Sequence, residues 1–508
     1  MACRTLPIAT DGARAPIRPG AAPGTPVGSL RNPVLWPPVI AAAGNLDYFR
    51  ASMTLTEKVL ARAAGKARVQ AGENIWVKAD ILMTHDVCGP GTIGVFKREF
   101  GPNARVWDPK AIVIIPDHYI FTADSKSNRN VDILREFVKE QGIEYFYDVI
   151  DDPNGVWRFD PSKGMFRRQY GRRYAGVCHT ALPEKGHTRP GEVLFGTDSH
   201  TCMAGAFNEF ATGIGNTDAG FVMGTGRLLL KVPETMHFYL EGRLQPGVMA
   251  KDVILHIIGE IGFDGATYRA MQFDGPGRGV PFHGRPHDHR QHGHRGRRQK
   301  RDLSLRRPDR RVRRGTHPTQ QHQANLRTGG VGQGPEVRLR AGGGPFATGT
   351  AGGLSSRPGR RKKAKELGHI RLDRAYIGSC TGGKASDFVE AARILRGRKV
   401  VIDTFGVPAT PEVVHELQTT FWGRESVWDV LVNAGVQMTE NASCAACLGG
   451  PVDTFGRINR PGIKCISATN RNFPGRMGDK QSEVYLASPA TVAASALTGR
   501  ITDPREFL

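Results

Sequence analysis

The sequence predicts an α/β fold made of several layered units, each built on a parallel sheet. Three observations carry that expectation. From Met53 onward, short β-branched runs alternate with amphipathic helical stretches. The runs are apolar throughout instead of alternating, as strands covered on both faces must be. Four of them lead directly into turns rich in Asp, His, Cys, Asn or Arg, and in open parallel sheets ligands bind beyond the carboxyl ends of the strands. The chain has 508 residues, 39% of them apolar, which leaves room for three or four domains and excludes wholesale disorder. It contains no run of about 18 apolar residues, which excludes a transmembrane helix.

The elements follow in chain order. Thr54 and Glu57 have capping-box spacing at the head of TLTEKVLARAAG, so a helix begins there. Met53 reads as the natural start of the folded chain. Residues 1–52 are rich in Pro, Ala, Gly and Arg, and they read as a non-native or disordered extension. An Arg-bearing organellar transit peptide and a true N-terminal arm are the rival readings. Lys110–Ile115 (KAIVII) is a buried strand. Asn130–Gly142 is a helix with Ile133, Phe137 and Val138 on one face and Gly142 as its stop. Glu192–Gly196, Arg374–Gly378 and Lys464–Ser467 are further short strands. Asp387–Gly397, Thr410–Trp422 and Ser488–Leu497 are helices, the second capped by Thr410 with Pro411 in its first turn. The expected domains are 53–215, 216–370 and 371–508.

Charge is unevenly placed. The net charge is +22, yet residues 278–363 hold 19 Arg and 3 Lys against four acidic residues, so +18 of it lies in that block. The block carries 7 of the 16 His and almost no apolar periodicity, so it cannot bury enough surface to offset its chain entropy. It reads as a disordered interruption of the second domain. Its clean edges match out-of-frame reading of a GC-rich gene, and a genuine basic insertion is the alternative. Such basicity also raises a second class of function, an inactive scaffold binding nucleic acid through 278–363. Only Phe282 and Phe346 are available there for base stacking, so that binding would lack sequence preference, and a nucleic-acid partner is not expected.

The chemistry lies in the turns after the strands. Cys444 and Cys447 form a Cys-x-x-Cys in NASCAACLGG, and Cys380 lies in GSCTGG. Alone, the pair fits buried small residues or half of a structural zinc site. Zinc wants four ligands and no convincing fourth is present, because Cys465 lies mid-strand as a buried structural residue. Three cysteines in Gly-rich turns suit an iron–sulfur cluster whose one iron stays open as a Lewis acid. His85-Asp86, Asp117-His118 and Asp198-Ser199-His200, with His179 in GVCHTALPEKGH, pair imidazoles with carboxylates. A carboxylate beside an imidazole raises its pKa and fixes its tautomer, which suits protonation of a leaving hydroxyl. Asn470-Arg471-Asn472-Phe-Pro-Gly-Arg476 places two arginines around a Pro-Gly turn, where they suit bidentate recognition of carboxylates. Together these groups describe a dehydratase for a hydroxylated di- or tricarboxylic acid.

GTDSHT (196–201), YIGSCTGGK (376–384), ASCAACLGG (442–450), SATNRNFPGRMG (467–478) and the tail through 504 resemble the aconitase superfamily. Within it the resemblance is to the two-subunit branch acting on isopropylmalate, with the homoaconitase-type branch beside it. It covers about 53–277 and 364–508. It implies an aconitase-like three-domain α/β/α core with a [4Fe-4S] cluster in the central cleft, held by Cys380, Cys444 and Cys447. It implies that Asp86, Asp117, His118, His179, Asp198 and His200 are catalytic. His85, Ser199, Asn470, Arg471 and Arg476 then bind substrate or cluster. The implied reaction is isomerisation of a substituted malate by dehydration and rehydration, in a reducing cytoplasm. The implied partner is a small subunit supplying a swivelling fourth domain, which single-chain relatives carry in the same polypeptide. One departure is Gln272, where the family usually has a Glu that supports an active-site His; the support of His200 is the expectation it affects.

Overall fold

The computed structural model describes residues 53–149, 158–160, 165–167, 174–262, 264–275, 336–341, 346–349 and 361–508. The extension expected at 1–52 and most of the basic block lie outside the described residues, and so does the nucleic-acid reading that rested on that block.

The first layer is a five-stranded parallel sheet. Its strands run in the order Tyr145–Phe146, Ile112–Ile114, Ile81–Thr84, Val193–Gly196 and Phe210–Gly213. The three central strands are buried along their whole length, and their side chains part to opposite faces as the pleat requires. Leu82, Ile112, Ile114, Val193 and Phe195 pack with Leu60, Phe96, Leu134, Phe137 and Val222 from helices on one face. Met83, Val113 and Leu194 pack on the other face with Ala181 and Leu182 of helix Cys178–Glu184. Helix Leu55–Ala64 opens with the expected capping box, Thr54 N donating to Glu57 Oε2 at 2.8 Å and Glu57 N to Thr54 Oγ1 at 3.2 Å. Helix Ser125–Gln141 starts five residues before the expected Asn130 because Asp124 accepts from Ser127 N at 2.7 Å. It stops at Gly142 as expected, with φ 68°. Strand Arg227–Lys231 pairs antiparallel with Asn74–Lys78, which ties residues past 215 to this first layer.

The second layer is a parallel sheet in which Glu234–Gly242 lies between Arg269–Asp274 and Glu336–Ala341. Helix Ala250–Ile261 follows the central strand. Within 278–363 the described residues are 336–341, 346–349 and 361–363, and all three stretches are strands. Glu336–Ala341 joins this sheet, while Phe346–Gly349 and Arg361–Lys363 extend one edge of the third sheet. Residues 336–341 read EVRLRA, a short period-2 alternation hidden by the charge around it. A sheet ladder satisfies backbone groups whatever side chains the strand carries.

The third layer is a seven-stranded sheet ordered 361–363, 346–349, 483–487, 464–467, 374–378, 403–407 and 437–438. The last five strands are parallel. Helix Pro489–Thr498 (PATVAASALT) is buried from Pro489 to Ala496, because its small residues let it lie close against the sheet. Helix Ala385–Leu395 packs beside it through Phe388, Ala391 and Ala392. Phe388 is fully buried, so Phe388→Ala is expected to cost about 3–5 kcal/mol. Urea unfolding followed by circular dichroism reads this as a lower midpoint at unchanged slope. Cys465 is buried mid-strand as expected, in the core with Tyr376 and Val484.

Candidate active site

Five parallel strands end at one place and deliver the chemistry there. His85 and Asp86 follow Ile81–Thr84, Asp117 and His118 follow Ile112–Ile114, and Asp198 and His200 follow Val193–Gly196. Cys380 follows Arg374–Gly378, and Asn470 follows Lys464–Ser467. Asp117 joins the first and third layers. Its carbonyl accepts from Cys444 N at 2.9 Å and Ser443 Oγ at 3.2 Å. Its carboxylate accepts from Cys178 N at 2.9 Å and faces His118 Nδ1 at 2.6 Å.

The carboxylates divide their work. Asp86 is fully buried and accepts the main-chain N–H groups of Asp117 and His118 at 3.2 Å, and that of Tyr119. It therefore positions the 117–119 turn. Burial drives its pKa up to about 6, against the pull of His118. Burial opposes charge on His118 too, yet Asp117 and Asp86 outweigh it and raise the ring to about 9. His85, its ring 4.8 Å from that of His118, is pushed down to about 4 by burial and then by the His118 charge. Val87 N donates to His85 Nδ1 at 3.2 Å, which leaves the proton of the neutral ring on Nε2.

Asp198 serves two more rings, with His179 Nε2 at 3.0 Å and His200 Nδ1 at 3.3 Å from its Oδ2. Thr201 Oγ1 donates to its other oxygen at 2.8 Å. Burial would raise Asp198, but the bonds to His179 and His200 hold it far below the carboxylate range. The support of His200 is thus Asp198, and the expectation attached to Gln272 is corrected. Gln272 lies in the second sheet, where its Nε2 donates to Asp274 at 2.9 Å and its Oε1 accepts from Leu55 N at 3.2 Å. Its strand ends in another layer.

Cys380, Cys444 and Cys447 are buried together with Val177 and Ala409. Cys444 Sγ and Cys447 Sγ are 2.7 Å apart, and Asn470 Nδ2 donates to Cys380 Sγ at 3.4 Å. The Cys447 thiol is drawn down to about 7 by its bond with Cys444, against burial, with help from His118 and Arg476. Burial pushes Cys380 up to about 12. Five buried polar atoms around these thiols have no partner among the described residues: His85 Nε2, His179 Nδ1, His200 Nε2, Asn470 Oδ1 and Arg476 Nε. Buried polar atoms are rarely left unpaired, so their convergence marks space for a polar ligand. Three thiols without a fourth fit an iron–sulfur cluster with an open position.

The Asn470–Arg476 loop closes one side. Arg476 is half-buried, with its guanidinium 5.7 Å from the Phe473 ring centre, while Arg471 and Ser199 are exposed. Gly382 shows why the GSCTGG turn needs glycine: a Cβ there would lie 2.4 Å from Ala468 Cβ. Sequence reasoning missed Asn130, whose Nδ2 donates to Asp86 O at 3.0 Å, and Lys384, whose Nζ donates to Cys380 O at 3.2 Å. It also missed Lys251, which reaches from helix Ala250–Ile261 to Thr469 O at 2.6 Å. A lone Lys in the first turn of an amphipathic helix carries no local signal of this kind.

The model of the aconitase family (aconitate hydratase) matches residues 57–280 and 350–499. The chloroplastic 3-isopropylmalate dehydratase large subunit of Arabidopsis thaliana is 47% identical over 489 residues, covering 94% of this chain and 91% of that one. The 3-isopropylmalate dehydratase large subunit 1 of Methanopyrus kandleri is 38% identical over 475 residues, covering 90% and 99%. The large subunit of Aquifex aeolicus is 35% identical over 481 residues, covering 90% and 98%. The family match takes in every strand end described above, and on that ground this chain belongs to the aconitase family.

Proposed function

We propose that this chain is the large subunit of a 3-isopropylmalate dehydratase. It is a hydro-lyase that interconverts 2-isopropylmalate and 3-isopropylmalate by dehydration and rehydration in leucine biosynthesis. The observation that carries the reading is the His118 ring, held by Asp117 at 2.6 Å at a strand end whose main chain also bonds the Cys444 turn, where three free thiols are buried together. Family membership and the names of full-length relatives support the same reaction.

Cys380, Cys444 and Cys447 would hold a [4Fe-4S] cluster, which when bound supplies a Lewis-acidic iron for the substrate hydroxyl. The chain's own groups do the rest. His118, kept protonated by Asp117, gives its proton to the departing hydroxyl. Asp198 fixes the tautomers of His179 and His200, whose other nitrogens, Nδ1 and Nε2, are buried without a partner among the described residues and available to substrate. Arg476 and Arg471 bind carboxylates, and Asn470 orients the Cys380 sulfur through its amide. The buried walls around Cys380 exclude water.

The proposed partner is a small subunit that covers the cluster and supplies the base. Among the described residues no helix is long and apolar enough to cross a membrane. Thiol-held iron suits a reducing compartment such as the cytoplasm, whereas the Arabidopsis relative is named as chloroplastic.

The test is reconstitution. The purified chain with a rebuilt cluster is expected to have negligible hydratase activity, and a small subunit of about 160–200 residues restores turnover of isopropylmalate. Full turnover by the isolated chain would overturn the two-subunit reading. No turnover of isopropylmalate by the cluster-loaded pair would overturn the substrate.

A further inference from the structure

We propose that Lys251 is a positioning residue of the iron–sulfur site, clamping the Asn470 loop against the Cys380 turn and supplying a counter-charge to the thiolates. The inference rests on the reading that Cys380 holds a cluster.

Helix Ala250–Ile261 belongs to the second layer, yet the first-turn side chain of Lys251 leaves it for the third. An ammonium has three donors and no acceptor, and three acceptors meet this one. They are Ala468 O, Thr469 O at 2.6 Å and Thr381 Oγ1 at 3.3 Å. Thr381 Oγ1 in turn donates to Ala468 O at 3.1 Å. Two turns are thereby tied at one carbonyl: the turn carrying Cys380, and the strand exit that leads to Asn470. One residue beyond the clamp, Asn470 Nδ2 donates to Cys380 Sγ. Loss of the clamp therefore loosens the amide that faces the sulfur.

Charge supplies the second half of the argument. Among the described residues no carboxylate lies within ion-pair distance of Lys251, although surface lysines of this protein pair readily, as Lys97 does with Glu140. Burial pulls its pKa down to about 7, and Asp387 and Asp252 oppose this only from beyond ion-pair distance, so an ammonium satisfied at close range by neutral acceptors gains from a further negative charge. The Cys380 turn is where one forms, once its thiol becomes a thiolate on binding iron. A cation bonded to the turn that carries Cys380 stabilises the more negative, reduced state of a cluster and so raises its potential.

The experiment compares wild type, K251M, K251R and T381V as cluster-loaded complexes with the small subunit. Three quantities are read: the rate of cluster bleaching under a chelator, the midpoint potential, and amide exchange at 468–471 in the metal-free chain. K251M is expected to bleach about tenfold faster or more, to shift the midpoint to lower potential, and to exchange faster at 468–471. K251R keeps the charge and holds the potential near that of wild type. T381V keeps the charge but loosens the turn, so exchange quickens while the potential stays. KM for substrate rises in K251M more than kcat falls, because Arg471 and Arg476 lie on the loosened loop. A K251M protein with wild-type bleaching, potential and exchange would overturn the proposal, and so would a K251R potential as low as that of K251M. If K251M fails to fold, unchanged exchange in T381V overturns the clamp. A wild-type complex that binds no cluster would instead overturn the proposed function.

Discussion

Cys447→Ser is expected to abolish the brown absorbance of the reconstituted protein and to lower dehydration of isopropylmalate by at least about a thousandfold. A Lewis-acidic iron contributes several kcal/mol at the transition state, and each 1.4 kcal/mol is tenfold in rate. Cys447 is buried with Cys380 and Cys444, its Sγ 2.7 Å from that of Cys444. The serine hydroxyl fits the space but stays protonated far above the working pH, so it is a poor iron ligand. Cys465→Ser is the control, since that thiol lies mid-strand, packed with Tyr376 and Val484 and outside the cluster that holds the other three. The measurement is visible absorbance with iron analysis, followed by the hydratase assay with the small subunit. Retained cluster and full rate in Cys447→Ser would exclude Cys447 as a ligand.

His118→Asn is expected to lower kcat by about a hundred- to ten-thousandfold while leaving the cluster in place, which is the range of a positioned general acid. The pH profile separates this role from a structural one. His118 is active as the imidazolium, and Asp117 with Asp86 raises its pKa to about 9 against burial. The rate is therefore expected to fall as pH rises through about 9. Asp117→Asn removes the main anion that holds the proton, so this limb moves to lower pH. The same shift has a stability sign. A histidine whose folded pKa lies above its unfolded value of about 6.5 stabilises the fold fully below 6.5, and that contribution is lost as pH rises through 9. His85, held near 4, is neutral across this range and adds no limb there. A profile of kcat/KM whose basic limb is the same in Asp117→Asn and wild type would remove His118 as the acid.

Part of this molecule was determined by local sequence. The strands Arg374–Gly378 and Lys464–Ser467 fall where the short apolar runs lie, each with its charged residue only at the half-buried first position, since a strand buried on both faces is largely apolar. The Thr54 and Glu57 cap and the Gly142 stop were legible because each satisfies backbone groups within a few residues. The residue types at the strand ends were legible too, because thiols, imidazoles and guanidiniums in Gly-rich turns have few purely structural uses. Other features depended on groups far apart in the chain. Asp86 was legible as a carboxylate beside His85, but the three main-chain N–H groups of 117–119 that it accepts come from another strand end. Gln272 was read into the site, whereas its strand ends in a different layer. The strand Glu336–Ala341 was hidden inside a basic block until a partner edge at 237–242 supplied its ladder. Lys251 is the clearest case. Local sequence makes it a surface lysine in the first turn of a helix, and only the packing of one layer on another brings Ala468, Thr469 and Thr381 around its ammonium. The sequence alone therefore determined the elements and the chemistry at their ends, because hydrogen bonding and burial within a few residues decide them. Tertiary structure decided which of those groups meet and which hold the others in place, because that depends on the donors and charges that distant strands bring within about 3 Å.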